Sequence, residues 1–300
     1  MDTETLPNNS VSELGARSKA ASRALASVST SQKNRALQMA AEAVLDSAEN
    51  ILEANQRDVD TARGVDVDEL TIDRLQLTQE RLRSMAEGLK KVTSLPDPVG
   101  EIVDGWTRPN GLRIRRVRVP LGVVAVIYEN RPNVTSDTFG LCLKSGNSAL
   151  LRGSSAAINS NSAIVSALQC ALSQAGLASD SVLLIEDTSH ETAIKFMQLN
   201  EYIDCLIPRG GRSLIQSIRE NATVPYVVDG DGNCHIYVDE HADFSQAIEI
   251  LVNAKTQRPT VCNAAESLVV HASVAHSFLP LAVKALDSVC LLYTSDAADE

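Results

Sequence analysis

Apolar residues recur at Leu37, Ala40, Val44, Ala48, Ile51 and Leu52. That stripe has a 3.6-residue period and predicts an amphipathic helix over residues 35–54, with Ser31 as its N-cap. The texture is helical throughout residues 11–95, with a further helix over 78–92 that Pro96 and Pro98 end. The pattern then changes. Residues 102–108 and 112–119 flank Pro109-Asn110-Gly111 and predict two strands around a turn. The second arm, LRIRRVRV, carries four arginines among apolar residues. It reads as an exposed hairpin arm or a protected edge strand rather than as a basic binding patch.

From residue 122 short apolar, β-branched runs alternate with helical stretches. Strands are predicted over 122–127, 148–151, 182–185, 202–207, 224–228, 235–238 and 267–271. Helices are predicted over 136–143, 156–175, 191–198 and 213–220. Repeated βα units imply a parallel sheet covered by helices on both faces. Ligands of such sheets sit at the carboxyl ends of the strands.

Composition narrows the class. The chain has 300 residues, 44% hydrophobic and 22% charged, as a globular two-domain chain would. Its net charge is −11 and its aromatic content 3%, which disfavours nucleic acid as a partner, since phosphate neutralisation and base stacking need the opposite. No apolar run approaches the ~20 residues that span a bilayer. The first residues, MDTETLPNNS, do not resemble a secretory signal. Six scattered cysteines without Cys-x-x-Cys spacing fit a reducing cytoplasm, with neither a disulfide frame nor a zinc site.

Four places carry candidate chemistry. After the first strand of the βα region, Tyr128-Glu-Asn-Arg-Pro-Asn-Val134 holds Asn130 and Asn133, and an asparagine amide can stabilise an oxyanion. An Asx-turn is the plainer use of the same residues. After the second strand, Arg152-Gly-Ser154-Ser155 puts an arginine where an acid would grip a ribose, which suits a 2′-phosphate and therefore NADP(H). After the fourth, Arg209-Gly210-Gly211 opens a helix whose amides could approach a phosphate, although paired glycines also serve ordinary turns. No Gly-x-Gly-x-x-Gly fingerprint occurs. Finally, Cys262 lies in Asn253-Ala-Lys-Thr-Gln-Arg-Pro-Thr-Val-Cys-Asn-Ala-Ala-Glu266, with Lys255 and Arg258 as cationic neighbours that would favour a thiolate. The other cysteines read as small core residues, Cys234 being the one rival to Cys262.

Five ordered segments carry a resemblance: PLGVVAVIYENRPNV (120–134), LKSGN (143–147), YIDCLIPRGG (202–211), GNCHIYVDE (232–240) and NAKTQRPTVCNAAE (253–266). Together they resemble the γ-glutamyl phosphate reductase family, the proline-biosynthesis branch of the aldehyde dehydrogenase superfamily, from about residue 11 to about residue 286. The resemblance implies an α/β fold with a modified Rossmann cofactor domain over 1–230, a hairpin arm at 101–119 used in oligomers, and the start of a catalytic α/β domain over 231–289. It implies NADPH-dependent reduction of L-glutamate 5-phosphate to L-glutamate 5-semialdehyde, with phosphate released. Cys262 would be the nucleophile that forms a thioester, and Asn133 (or Asn130) the side-chain oxyanion donor beside the Cys262 N–H. Asp229 would handle protons, and Lys255 and Arg258 would hold the departing phosphate. Arg152, Ser154, Arg209, Gly210 and Gly211 would meet NADP(H). A glutamate 5-kinase is an implied supplier of the labile substrate.

Members of that family continue well past residue 290. The segment Cys290–Glu300 reads as a non-native tail, so the chain is expected to be a C-terminally truncated, poorly soluble and inactive fragment of an active reductase. The competing readings are another acyl-transferring aldehyde dehydrogenase and a non-catalytic nucleotide-binding module.

Overall fold

In the computed structural model the described residues are 10–289, apart from 66, 68, 229–231, 258 and 260 and the side chain at 70. The chain divides into two compact units, one ending at Val228 and the other beginning at residue 229.

The first unit opens with α1 (Val11–Leu25), α2 (Thr30–Asp46), α3 (Ala48–Gly64), α4 (Glu69–Leu75) and α5 (Gln79–Ser94). The periodic stripe over 35–54 is therefore two helices. Ser47, with φ −91° and ψ 10°, leaves helical geometry and redirects the chain. The N-cap of α2 is Ser29 rather than Ser31. Ser29 Oγ accepts the Gln32 N–H while Gln32 Oε1 accepts the Ser29 N–H, a reciprocal box that Ser31 lacks the partner to build. Next come β1 (Ile102–Thr107) and β2 (Arg113–Val117), an antiparallel hairpin whose residues are almost all exposed.

The βα region follows, as β3 (Val123–Tyr128), α6 (Asn133–Lys144), β4 (Ser148–Arg152), α7 (Ile158–Gln174), β5 (Val182–Leu184), α8 (His190–Met197), β6 (Cys205–Arg209) and α9 (Arg212–Asn221). The four strands are parallel in the order β5-β4-β3-β6. Alternate residues feed opposite faces, as strand geometry requires. Val124, Val126, Tyr128, Ala149 and Leu151 pack under α2, α5, α6 and α7 through Leu37, Leu82, Leu89, Phe139 and Leu168. Val123, Ala125, Ile127 and Leu150 pack under α1, α8 and α9 through Leu14, Phe196, Met197 and Ile218. Each fully buried Leu or Phe contributes roughly 1.5–3 kcal/mol relative to an exposed one.

Residues 224–228 do not form the expected strand. Only the parallel bridge between Leu206 and Tyr226 is made, because Pro225 has no N–H to offer a ladder. The predicted strand over 202–207 starts later, at Cys205, since residues 199–204 form turns that close α8.

The second unit contains β7 (His235–Val238), α10 (Phe244–Thr256), β8 (Ser267–Val270) and α11 (Ala272–Asp287). Its two strands are parallel and in register from His235–Ser267 to Val238–Val270. Val238, Leu251, Phe278 and Ala282 form its core, with Phe244 edge-on to Phe278 at 5.2 Å. Among the described residues no helix is long and apolar enough to cross a membrane.

Candidate active-site and cofactor loops

Strand order β5-β4-β3-β6 reverses direction of winding at β3 and β6, the point where parallel sheets open a ligand crevice at their carboxyl ends. Three loops meet there. Glu129 follows β3, and its N–H donates to the Arg209 carbonyl at the end of β6, at 3.2 Å. The Gly211 N–H donates to Glu129 Oε2 at 3.1 Å, so a carboxylate sits at the head of α9. Gly210 allows this approach: a Cβ there would lie 2.6 Å from Glu129 Cδ. Ser154 Oγ, after β4, donates to Asn130 Oδ1 at 2.8 Å. Arg209, Gly210 and Gly211, expected to meet a cofactor phosphate, lie at the end of β6 and the head of α9, where the Gly211 amide is taken by the Glu129 carboxylate. Glu129 itself gave no sequence signal, because its contact is made across 82 positions of chain.

The two asparagines of the loop differ. Asn133 opens α6, and its Nδ2 donates to Asp137 Oδ2 at 3.0 Å, one helical turn on. Burial raises the Asp137 carboxyl above its usual range, against the hydrogen bond from Asn133 and the charge of Arg209. Asn130 instead has its carbonyl end held by Ser154, which orients the amide end away from that bond.

Arg152 is 9% exposed, and its Nη2 donates to the carbonyls of Thr188 (2.7 Å) and Ser189 (2.9 Å). Desolvation lowers its pKa, partly opposed by Asp187. Its buried Nε has no hydrogen-bond partner. The guanidinium therefore braces the loop between β5 and α8, a use the sequence did not disclose. In that loop Asp187 accepts from Thr192 Oγ1 (2.6 Å) and the Ser189 N–H (2.9 Å). These bonds, that from Thr192 foremost, pull its pKa down to about 2.

In the second unit Cys262 is exposed, on a turn between α10 and β8 that the Ala264 N–H closes onto the Val261 carbonyl at 3.1 Å. Two bonds fasten the turn to α10. Lys255 Nζ donates to the Ala265 carbonyl at 2.9 Å, and the Ala265 N–H donates to the Ala254 carbonyl at 3.0 Å. Lys255 thus holds the turn in place. Asp229 and Arg258, expected at this site, lie outside the described residues.

The described cysteines are free thiols. Cys142 and Cys205 are buried, as expected of core residues, and burial pushes the Cys142 thiol up to about 12. Cys170 departs from that expectation: it is exposed on α7, on a face turned away from the sheet. Cys290 lies outside the described residues.

Residues 3–296 match the aldehyde dehydrogenase family. A γ-glutamyl phosphate reductase of Caldicellulosiruptor saccharolyticus is 53% identical over 268 residues, which are 89% of this chain and 64% of that protein. The chain therefore spans less than two thirds of that relative's length. The crystal structure of γ-glutamyl phosphate reductase from Thermotoga maritima superposes with a TM-score of 0.86 at 47% identity, covering 93% of this chain and 67% of that one. A probable aldehyde dehydrogenase from Listeria monocytogenes shares the fold, with a TM-score of 0.70 at 17% identity over 96% of this chain and 59% of that one.

Proposed function

The chain belongs to the aldehyde dehydrogenase family, and we propose that within it the protein carrying this chain reduces L-glutamate 5-phosphate to L-glutamate 5-semialdehyde with release of phosphate. The observation that carries this reading is Cys262, exposed on a braced turn inside the NAKTQRPTVCNAAE segment of a chain 53% identical to a named γ-glutamyl phosphate reductase.

The Cys262 thiolate attacks the acyl carbon of the mixed anhydride. The C–S bond forms, the C–O bond to phosphate breaks, and inorganic phosphate leaves, giving a thioester. The Cys262 N–H and an asparagine amide from the loop after β3 are assigned to the oxyanion of that step. Asn130 is the better supported of the two amides, since Ser154 fixes its carbonyl end whereas the Asn133 amide is engaged with Asp137. Lys255 acts by holding the cysteine turn, with Arg258 assigned to the departing phosphate and Asp229 to proton handling.

The family implies a nicotinamide cofactor. Its phosphates would take the Gly211 amide at the head of α9 in place of the Glu129 carboxylate that this amide meets here. Gly210, Gly211 and Arg209 would hold the pyrophosphate, and the Arg152–Ser154 loop, with no acidic residue in it, would accept the 2′-phosphate of NADP(H). When bound, the nicotinamide supplies the hydride that takes the thioester to the aldehyde level. A cytoplasmic homo-oligomer built through the β1–β2 arm, supplied by a glutamate 5-kinase, completes the proposal.

The test, made on the whole protein that carries this chain, is phosphate-dependent NADP⁺ reduction with glutamate semialdehyde, in the parent and in Cys262→Ala. The variant is expected to be inactive; equal rates would remove Cys262 from the mechanism.

A further inference from the structure

In the second unit the Cys234 side chain lies against the backbone of Cys262. Cys234 Sγ lies 3.5 Å from the Cys262 carbonyl oxygen. Because that oxygen is about 2.4 Å from its own Cα by peptide geometry, Cys234 Sγ is within about 6 Å of the Cys262 Cα. Both backbones are anchored. The Cys234 carbonyl accepts the N–H groups of Glu266 (2.9 Å) and Ser267 (3.1 Å), at the point where β7 and β8 begin to pair. Gly232 makes the approach possible, since a Cβ there would stand 3.0 Å from the Cys262 oxygen and 3.9 Å from Cys234 Sγ. Cys262 is exposed and Cys234 half-buried, so a small oxidant reaches the first while the second waits beside it.

We propose that Cys234 is a resolving thiol for Cys262, and that the pair closes into a reversible disulfide when a hydroperoxide oxidises the exposed cysteine. In the first step the Cys262 thiolate attacks the peroxide. The O–O bond breaks, an S–O bond forms, and an alcohol or water leaves, giving a sulfenic acid. In the second step the Cys234 thiolate attacks the Cys262 sulfur. The S–S bond forms, the S–O bond breaks, and hydroxide departs as water with the proton of the Cys234 thiol. Two thiols and one hydroperoxide become one disulfide, one alcohol and one water. With Cys234 Sγ within about 6 Å of the Cys262 Cα, rotation of the two side chains together with a small shift of the exposed Cys262 turn would reach the geometry of an ordinary disulfide, whose Cα atoms are usually ~4.4–6.8 Å apart.

The bond would stop Cys262 from progressing to sulfinic acid, from which ordinary thiols do not recover it. Loss of activity on oxidation rests on the reading of Cys262 as nucleophile; the bond itself does not. The full chain is treated with hydrogen peroxide, alkylated, digested without reduction and mapped by mass spectrometry. A linked peptide joining Cys234 to Cys262, abolished by dithiothreitol, is the expected result. In Cys234→Ser the link is absent and Cys262 accumulates as sulfinic acid several-fold above the parent. Cys234→Ala, checked by circular dichroism for native structure, should do the same. Sulfinic acid at Cys262 of the parent without the link, or a link to Cys170 or Cys290 instead, overturns the proposal. If the link forms and phosphate-dependent activity survives it, the resolving role stands and the nucleophile assignment falls.

Discussion

Glu129 Oε2 accepts the Gly211 N–H at 3.1 Å, so the chain's own carboxylate occupies the head of α9. A cofactor phosphate bound to that amide must displace it and meets its negative charge. Glu129→Gln keeps the shape and removes the charge. NADPH affinity, followed by fluorescence titration, should rise about two- to fivefold, the equivalent of roughly 0.3–1 kcal/mol for a charge at a helix terminus. Unchanged or weaker binding would show that the phosphate does not use this amide.

The two asparagines should separate cleanly in kinetics. Asn130→Ala is expected to lower kcat by about 10²–10³, the usual loss for one oxyanion donor. Asn133→Ala loses a hydrogen bond to Asp137 and should stay near the parent rate. The reverse pattern would assign the oxyanion to Asn133.

Arg152 ties the carbonyls of Thr188 and Ser189 together. Replacing it with alanine should cost about 1.5–3 kcal/mol, as expected for hydrogen bonds made by a buried charged donor. The urea midpoint, at constant slope, measures it. A stability equal to that of the parent would mean the loop holds itself.

Asp187 gives the same loop a pH dependence. Its folded pKa, about 2, lies below the unfolded value of roughly 3.9. Its contribution is therefore present above pH ~4 and is lost as pH falls toward 2, because the unfolded carboxylate takes up its proton first. Urea titrations across that range should show a shallower acid decline in Asp187→Asn than in the parent. Parallel curves would remove Asp187 from the linkage.

Under the helical layer, Lys33 Nζ meets Asp97 at 2.5 Å and also donates to the Lys144 carbonyl at 3.1 Å, with the lysine side chain 1% exposed. Lys33→Met would leave the half-buried Asp97 carboxylate without its ion-pair partner. A loss of about 1.5–3 kcal/mol is expected, visible as a lowered melting temperature. A smaller loss than 1 kcal/mol, measured by denaturant unfolding, would mean that water replaces the lysine.

Much of this molecule is written locally. The short buried apolar runs of β3 and β4, the proline stops after α5 and the turn at Pro109-Asn110-Gly111 are short-range facts of sequence, and the βα order follows from them. Cys262 could be singled out as a candidate from its segment alone, and the fold places it exposed on a turn. Tertiary structure decided the rest. A stripe that reads as one helix bends at Ser47, and residues 224–228 bridge only once to β6. Arg152 turns its Nη2 onto Thr188 and Ser189, and Lys255 holds a turn through Ala265. Glu129 reaches Gly211, and Cys234 reaches Cys262, across 82 and 28 positions. Hydrophobic period and turn chemistry act over a few residues, so sequence reveals them. The partner of a long polar side chain depends on where packing brings distant backbone groups, and only the folded chain specifies that.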